Sequence, residues 1–350
     1  MNIAELRNHL KIMNEDEVFY KKCYLKNLGL TKHDYIDKLD LENIVGINKI
    51  LKSESSEKVF FLPDEFTDES QFKPDIYSNI ILSKHNRYTP RFRHKHTFFE
   101  LIYVLSGHCQ QEINDIVINL NKGDLCCVPP NMYHCLSVFN NSVIITILIK
   151  KQYFNEILFN FSSDDNVLSR FFMNSLYNKN FNHYLTFHTK NDTYIETLIL
   201  GLFLEYMEQE RFSAQILNNQ LAVLFANLLR KYESTAEYPI FSKNNEKLSF
   251  EIITYIQNNY SDVSIRDVAE HMNYTVPYLS KLIKKTTGYT FSEILKRTRL
   301  QKAEVFLTNT IYTISEISET LGYMNTETFI RAFTSYYHIS PKAYRLKHIS

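Results

Sequence analysis

The feature that most constrains this chain is that its C-terminal segment repeats itself. Ser264–Tyr274 resembles Thr313–Tyr323 at an offset of 49 residues. Ile265 aligns with Ile314, Val268 with Ile317, Ala269 with Ser318, Met272 with Leu321 and Tyr274 with Tyr323. One inserted residue later the offset is 50, and Leu279 aligns with Phe329, Lys281 with Arg331 and Ile283 with Phe333. A repeat of this kind is one supersecondary unit used twice.

Each copy has the layout of a helix-turn-helix. Ser264 and Thr313 are N-cap residues, and acids follow three positions on at Asp267 and Glu316, which makes a capping box. The first helix is amphipathic, and its small residue, Ala269 or Ser318, allows a second helix to cross closely. A short polar turn follows in each copy. The second helix then starts at Val276-Pro277 or at Thr326, and proline suits a first helical turn because no helical N–H is lost there. That helix would bury Leu279, Leu282 and Ile283, or Phe329, Ala332 and Phe333. It would leave Ser280, Lys281 and Lys284, or Glu327, Ile330 and Arg331, on a face able to enter a major groove. Between the copies, Phe291–Leu307 reads as one helix of roughly 25 Å, a strut that could hold two such helices about one DNA turn, ~34 Å, apart. The competing reading of the same pattern is a helical bundle with duplicated helix pairs.

The segment 260–346 resembles the AraC/XylS family of bacterial transcription regulators. The resemblance is carried by Ala269, Tyr278-Leu279-Ser280-Lys281, Lys284-Lys285, Thr287-Gly288, Phe291, Arg299, Ala303, Leu307, Ile314, Ile317, Gly322-Tyr323, Phe329, Arg331, Phe333, Ser340-Pro341 and Tyr344-Arg345. It implies that each helix pair reads one segment of major groove. The family's base-contacting positions would fall on Pro277, Ser280 and Lys281, and on Thr326, Glu327, Ile330 and Arg331. Lys284 and Lys285 would contact phosphates. Three positions depart from the family pattern. Thr334 replaces a basic residue, His338 a glycine and Ser318 the commoner alanine.

The rest of the chain divides by texture. Residues 1–75 read as a helical extension, with Leu6, Leu10 and Met13 at helical spacing, a helix expected over Lys38–Leu51 and a linker over Lys52–Lys58. Within 76–160, short β-rich runs at Phe98–Ser106, Gln110–Ile113, Ile116–Leu120, Asp124–Val128 and Ser142–Lys150 are separated by turn residues. Even spacing of that kind predicts an antiparallel barrel or jelly roll. Residues 161–235 are helical again, and a homodimer is expected on Tyr194–Lys231, the alternative being that the apolar face of Ala214–Lys231 packs only on its own barrel. Residues 236–247 read as a linker, and 248–350 as all-α. The predicted class is therefore α+β multidomain: a cupin-like antiparallel β-barrel, a helical dimerisation segment and a double helix-turn-helix domain.

Candidate ligands in the β-rich segment are His94, His96, Glu100 and His134. Their order, with Gly107, Gly123-Asp124 and Pro129, is similar to the two cupin motifs, with Asn131 where a glycine is usual. Residues two apart on a strand face the same side, so His94 and His96 would point inward together and Lys95 outward. Three imidazoles and a carboxylate offer donors and acceptors to a small-molecule effector. The same atoms form a nitrogen-and-oxygen set that would suit a divalent metal. The effector pocket is the reading adopted, with no resident metal or cofactor expected.

Charge and cysteine usage set the remaining bounds. Net charge is zero, but residues 249–350 hold 12 Lys+Arg against 9 Asp+Glu, and the remainder 27 against 30. A mildly basic C-terminal third suits a nucleic-acid module. The five cysteines, Cys23, Cys109, Cys126, Cys127 and Cys135, form no C-x-x-C pair and read as buried, reduced thiols. No signal peptide and no apolar run of the ~20 residues needed to span a bilayer is visible. The expectation is a cytoplasmic, non-enzymatic regulator, an activator by preference. Its expected partners are double-stranded DNA, a small-molecule effector, a second copy of itself and RNA polymerase. The alternative is a metal-dependent cupin enzyme or metal-binding protein with a helical appendage.

Overall fold

The strand Phe99–Ser106, paired on both sides, organises the first of two units. The structure is a computed structural model, and it describes residues 1–26, 64–72, 79–151, 153–154, 166–179, 181–238 and 243–348. The helix expected over Lys38–Leu51 and the linker over Lys52–Lys58 lie outside the described residues. One unit comprises Met1–Phe161, Asn166–Leu168 and Asn182–Pro239, the other Ser162–Asp165, Ser169–Phe181 and Ile240–Ser350.

The strands of the first unit are β1 (Glu65–Phe66), β2 (Ile80–Lys84), β3 (Lys95–His96), β4 (Phe99–Ser106), β5 (His108–Ile113), β6 (Ile116–Asn121), β7 (Asp124–Val128), β8 (His134–Ser137), β9 (Val143–Ile149) and β10 (Leu185–His188). An antiparallel five-stranded sheet runs in the order β10-β7-β4-β9-β2, and a three-stranded sheet in the order β6-β5-β8. β1 pairs with β3 in parallel. The five strands expected from sequence are present, and β2, β8 and β10 join them. Asn114 and Asp115 both take positive φ, 45° and 68°, as a two-residue hairpin between β5 and β6 requires.

The two sheets share one core. Ile102 and Val104 of β4, Cys126 and Val128 of β7 and Ile144 of β9 meet Cys109, Ile113, Leu120 and Leu136 from the smaller sheet. Residues one position away, such as Phe99, Leu101 and Tyr103, turn to the opposite face of the large sheet. There Phe99 packs on Phe154 with ring centres 4.6 Å apart, and Phe154 on Phe225 at 5.5 Å. Because Glu100 shares its parity with Ile102, its carboxyl enters the space between the sheets. Cys126 and Cys127 split between the two faces for the same reason. Both are buried, and burial lifts the Cys126 thiol to about 12 and raises Cys127 well above its ordinary value, so neither is a ready nucleophile.

Helices α1 (Ile3–Lys11) and α2 (Glu15–Lys26) lie against this unit, and α3 (Asp68–Gln71) follows β1. Asn2 and Glu5 form a capping box on α1, and Leu6 and Leu10 are buried as their spacing predicts. Glu17 exchanges capping hydrogen bonds of 2.9 and 2.8 Å with Asn14 at the start of α2. It is fully buried and takes Arg87 Nε at 2.7 Å and Lys84 Nζ at 2.6 Å. Burial opposes its charge, but these two cations outweigh burial and hold its carboxyl at about 2.

Further along, α5 (Thr193–Glu208) and α6 (Ser213–Tyr232) belong to the first unit, whereas α4 (Val167–Tyr177) lies mostly in the second. Leu217, Leu221, Leu224, Phe225 and Leu228 of α6 are all buried by their own chain. The apolar face on which the sequence placed a partner is thus filled within the unit, because a stripe at helical spacing is core first.

The second unit is all helical among the described residues: the body of α4, then α7 (Lys243–Asn258), α8 (Ile265–His271), α9 (Val276–Thr287), α10 (Phe291–Asn309), α11 (Ile314–Thr320), α12 (Thr326–Tyr337) and α13 (Pro341–His348). Helix begins at Lys243, inside the expected linker. Leu300, Ala303 and Leu307 of α10 form one core with Ile317, Leu321, Phe329, Phe333 and Tyr344. Tyr344 donates to Glu304 at 3.0 Å and Arg345 Nε to the Leu307 carbonyl at 3.2 Å, so the C-terminal motif anchors α13 to α10. At the other end, the Tyr177 hydroxyl sits beside Gln301 and receives Gln257 Nε2 at 2.9 Å, which binds α4 to α7 and α10.

Candidate functional site

Two helix pairs, α8–α9 and α11–α12, are built alike. Ser264 with Asp267 and Thr313 with Glu316 each complete a capping box. In the turn, Tyr274 N–H donates to Ala269 at 2.8 Å and Tyr323 N–H to Ser318 at 3.0 Å. Ala269 and Ser318 are both buried at the crossing, which the small side chain permits. Leu279 and Ile283, or Phe329 and Phe333, hold the second helix down. Burial of one face leaves the other to solvent. Pro277, Ser280, Lys281, Lys284 and Lys285 are exposed on α9, and Glu327, Ile330 and Arg331 on α12, with Thr326 half-buried. α9 carries no acidic residue, and α12 carries Glu327 one turn before Arg331. Lys284 lies 3.7 Å from Glu293, an exposed contact worth little. The sequence reading passed over Tyr278, which is 53% exposed beside Ser280 and packs on Tyr274 at 4.9 Å. Its helical spacing from Lys281 and Lys285 was the available signal.

The candidate site of the first unit lies between the sheets. His96, Glu100 and His134 each bring one ligand atom into a group whose members all lie within 4.8 Å of one another. Glu100 Oε2 is 3.6 Å from His96 Nε2 and 3.5 Å from His134 Nε2. None of these three buried atoms has a hydrogen-bond partner. Positioning is local: β3 and β8 are joined through His94–His134 backbone hydrogen bonds of 3.0 and 2.8 Å, which sets the two rings side by side. His94 lines the same cavity and its ring centre is 4.4 Å from that of His134, but its nitrogens do not join the three-atom group. The cavity measures about 300 Å³, and Lys84, His85, Phe92, Phe98 and Leu136 also line it. His85, missed in the sequence, adds a buried Nε2 with no partner.

Burial sets the charge here. It pushes His134 well below the ordinary imidazole value, lowers His94, and takes His85 to about 4, with Glu100 pulling each the other way. Burial would raise Glu100, but the facing rings of His96 and His134 outweigh it and leave the carboxyl at about 2. At neutral pH the cavity therefore presents a carboxylate beside the neutral rings of His85, His94 and His134.

Two families match this chain. The AraC-like ligand binding domain covers residues 80–226, and a helix-turn-helix domain covers residues 268–347. The chain belongs to the AraC-type regulators. The chain aligns with the regulatory protein PocR of Salmonella typhimurium, 34% identical over 27% of this chain and 31% of that one. It also aligns with the uncharacterised regulator YtdP of Bacillus subtilis, 33% identical over 29% of this chain and 13% of that one. The match thus spans less than a third of the length of these curated relatives. Among solved structures, the C-terminal domain of AraT from Geobacillus stearothermophilus is 33% identical over 29% of this chain and 87% of that one, with a TM-score of 0.28. ToxT from Vibrio cholerae is 12% identical over 77% of this chain and 98% of that one, with a TM-score of 0.33. Among the described residues, no helix is long and apolar enough to cross a membrane.

Proposed function

We propose that this chain is a sequence-specific DNA-binding transcription regulator, not an enzyme, whose cupin-like first unit receives a small-molecule effector. The observation that carries the reading is the pair of equally built recognition helices, α9 and α12, each with its apolar face buried and its opposite face exposed. Lys281 and Arg331, aligned in the repeat, are the principal base-reading cations, with Pro277, Ser280, Thr326, Glu327 and Ile330 beside them. Lys284 and Lys285 hold phosphates. His94, His96, Glu100 and His134 form the effector pocket of the first unit. The regulator acts in the cytoplasm, as a homodimer and as an activator that engages RNA polymerase.

Selection of bound fragments from a genomic DNA library tests this. The full-length protein should enrich sites containing two short boxes about 10 base pairs apart, the spacing of successive major-groove segments on one face. Enrichment of no shared sequence would overturn the assignment. Sedimentation of the same preparation checks the dimer.

A further inference from the structure

We infer that the second helix pair recognises thymine by its 5-methyl group, and that Met324, at the entrance to α12, makes that contact together with Ile330. The inference rests on the reading of α12 as a recognition helix and names the base that it prefers.

Met324 is the residue by which the two turns differ in length. Tyr274 aligns with Tyr323 and Leu279 with Phe329, so the second turn is longer by one residue. The capping positions Thr275 and Asn325 correspond, which leaves Met324 as the insertion. Its side chain is 99% exposed, the highest value of any large apolar side chain among the described residues. Methionine is ordinarily a filler of cores, and packing within its own unit does not explain this one.

The backbone is fixed on both sides of it. Before it, the Tyr323 N–H donates to the Ser318 carbonyl at 3.0 Å, and the Tyr323 ring packs on Phe329 with ring centres 5.4 Å apart. After it, Asn325 accepts the Thr328 N–H at 2.8 Å and caps α12. Met324 is therefore presented from a firm base, at the N-terminal end of the helix, which is the end that meets base edges.

The surface of α12 decides what it can read. Its exposed face carries one cation, Arg331, with Glu327 one turn before it, whereas α9 carries Lys281, Lys284 and Lys285. Attraction to phosphates is correspondingly weaker on α12. Ile330, 36% exposed, lies one turn after Thr326 on that face. The second copy thus brings two apolar side chains toward the groove. The first copy has Ser280 where the second has Ile330, and no residue where it has Met324. In the major groove the apolar group on a base edge is the thymine methyl. Packing that methyl against Met324 removes both from water, and the unbranched thioether can adjust to its position.

Synthetic duplexes carrying both selected boxes test this with the full-length protein. Each thymine is replaced in turn by deoxyuridine, which removes the 5-methyl and leaves every hydrogen-bonding group. At one thymine or more, wild type should bind about three- to fivefold more weakly, the factor for one buried methyl. The affected thymines should lie in the box at which Arg331→Ala relaxes preference. Met324→Ala should bind the thymine duplex more weakly by a similar factor and should not distinguish thymine from uracil there. Met324→Leu, still apolar, should keep the distinction. Leu346→Ala, which removes an exposed apolar side chain from α13, should behave as wild type. The inference falls if no thymine methyl matters to wild type, or if Met324→Ala loses as much as wild type at every one of them. Selective binding with no methyl effect overturns this inference alone and leaves the regulator standing. Absence of any selective binding overturns the regulator and the inference with it.

Discussion

The two helix-turn-helix copies have the same backbone and different surfaces. At the turn, the first copy places Asn273 at φ 56° and the second places Gly322 at φ 74°. At the end of the recognition helix the choice reverses, with Gly288 at 74° and His338 at 58°. Left-handed backbone is thus required at both places in both copies, and glycine is required only where space fails. A Cβ on Gly322 would stand 1.6 Å from the Ser261 carbonyl oxygen and 2.9 Å from Arg299 Nη2. Arg299 cannot yield, since it donates to the Tyr260 and Ser261 carbonyls at 2.8 and 3.0 Å and so pins that segment to α10. The pattern of the repeat records the fold, and its exceptions record packing.

The largest effect should come from that difference. Gly322→Ala combines positive φ with a backbone collision and is expected to destabilise the second unit by about 3 kcal/mol or more. Asn273→Gly, at the equivalent position of the first copy, should change stability by less than about 1 kcal/mol. Denaturant unfolding followed by helical circular dichroism measures both. Similar values for the two would show that the copies do not differ in packing at the turn.

The second contrast is charge. α9 offers Lys281, Lys284 and Lys285, whereas α12 sets Glu327 against Arg331. Lys281→Ala and Arg331→Ala are each expected to weaken specific DNA binding by about 1–3 kcal/mol and to relax sequence preference at one box. Equal binding by wild type and both variants to all DNA tested would remove the assignment. Removing Lys284 or Lys285 should instead weaken all sequences alike and reduce the salt slope by about 0.9 for each phosphate no longer neutralised. A similar change in slope from Thr334→Lys, reversed in sign, would mark the second copy as electrostatically deficient where it departs from the family pattern.

How much of this could be read from the chain depended on how local the cause was. Helix pairs were legible because capping boxes, Pro277 and the apolar spacing act within a dozen residues. Strand β4 was legible as a β-rich run bounded by turn residues. β2, β8 and β10 were not, since short strands such as His134–Ser137 are fixed by partners far along the chain. The three-atom group was half legible. Parity predicted that His94 and His96 point inward together, but only the fold shows that Glu100 and His134 meet His96 while His94 stands aside, and that Gln111 and the Phe98 carbonyl contact the rings from behind. The stripe along Ala214–Lys231 was ambiguous for the same reason: a helical stripe does not say which surface covers it. The buried ion pairs of Glu17 gave no signal, because Lys84 and Arg87 lie 67 and 70 residues further along the chain.

The smallest difference between the copies lies at the start of the recognition helices. Asn325 caps α12 by accepting the Thr328 N–H at 2.8 Å. Thr275, its counterpart before α9, makes no side-chain cap bond, and α9 relies on Pro277 in its first turn. Proline has no N–H to satisfy and holds φ near the helical value, so it replaces part of what a cap does. Asn325→Ala should therefore destabilise the second unit by about 1 kcal/mol. Thr275→Ala should change it by a few tenths at most, within the range expected of an exposed position away from such features, about 0.5 kcal/mol. Pro277→Ala in the Thr275→Ala background separates the two devices. If proline is what sets the start of α9, amide exchange over residues 276–279 rises in the double variant and not in Thr275→Ala alone. Equal exchange in both would mean that burial of Leu279 and Ile283 alone fixes where the first recognition helix begins.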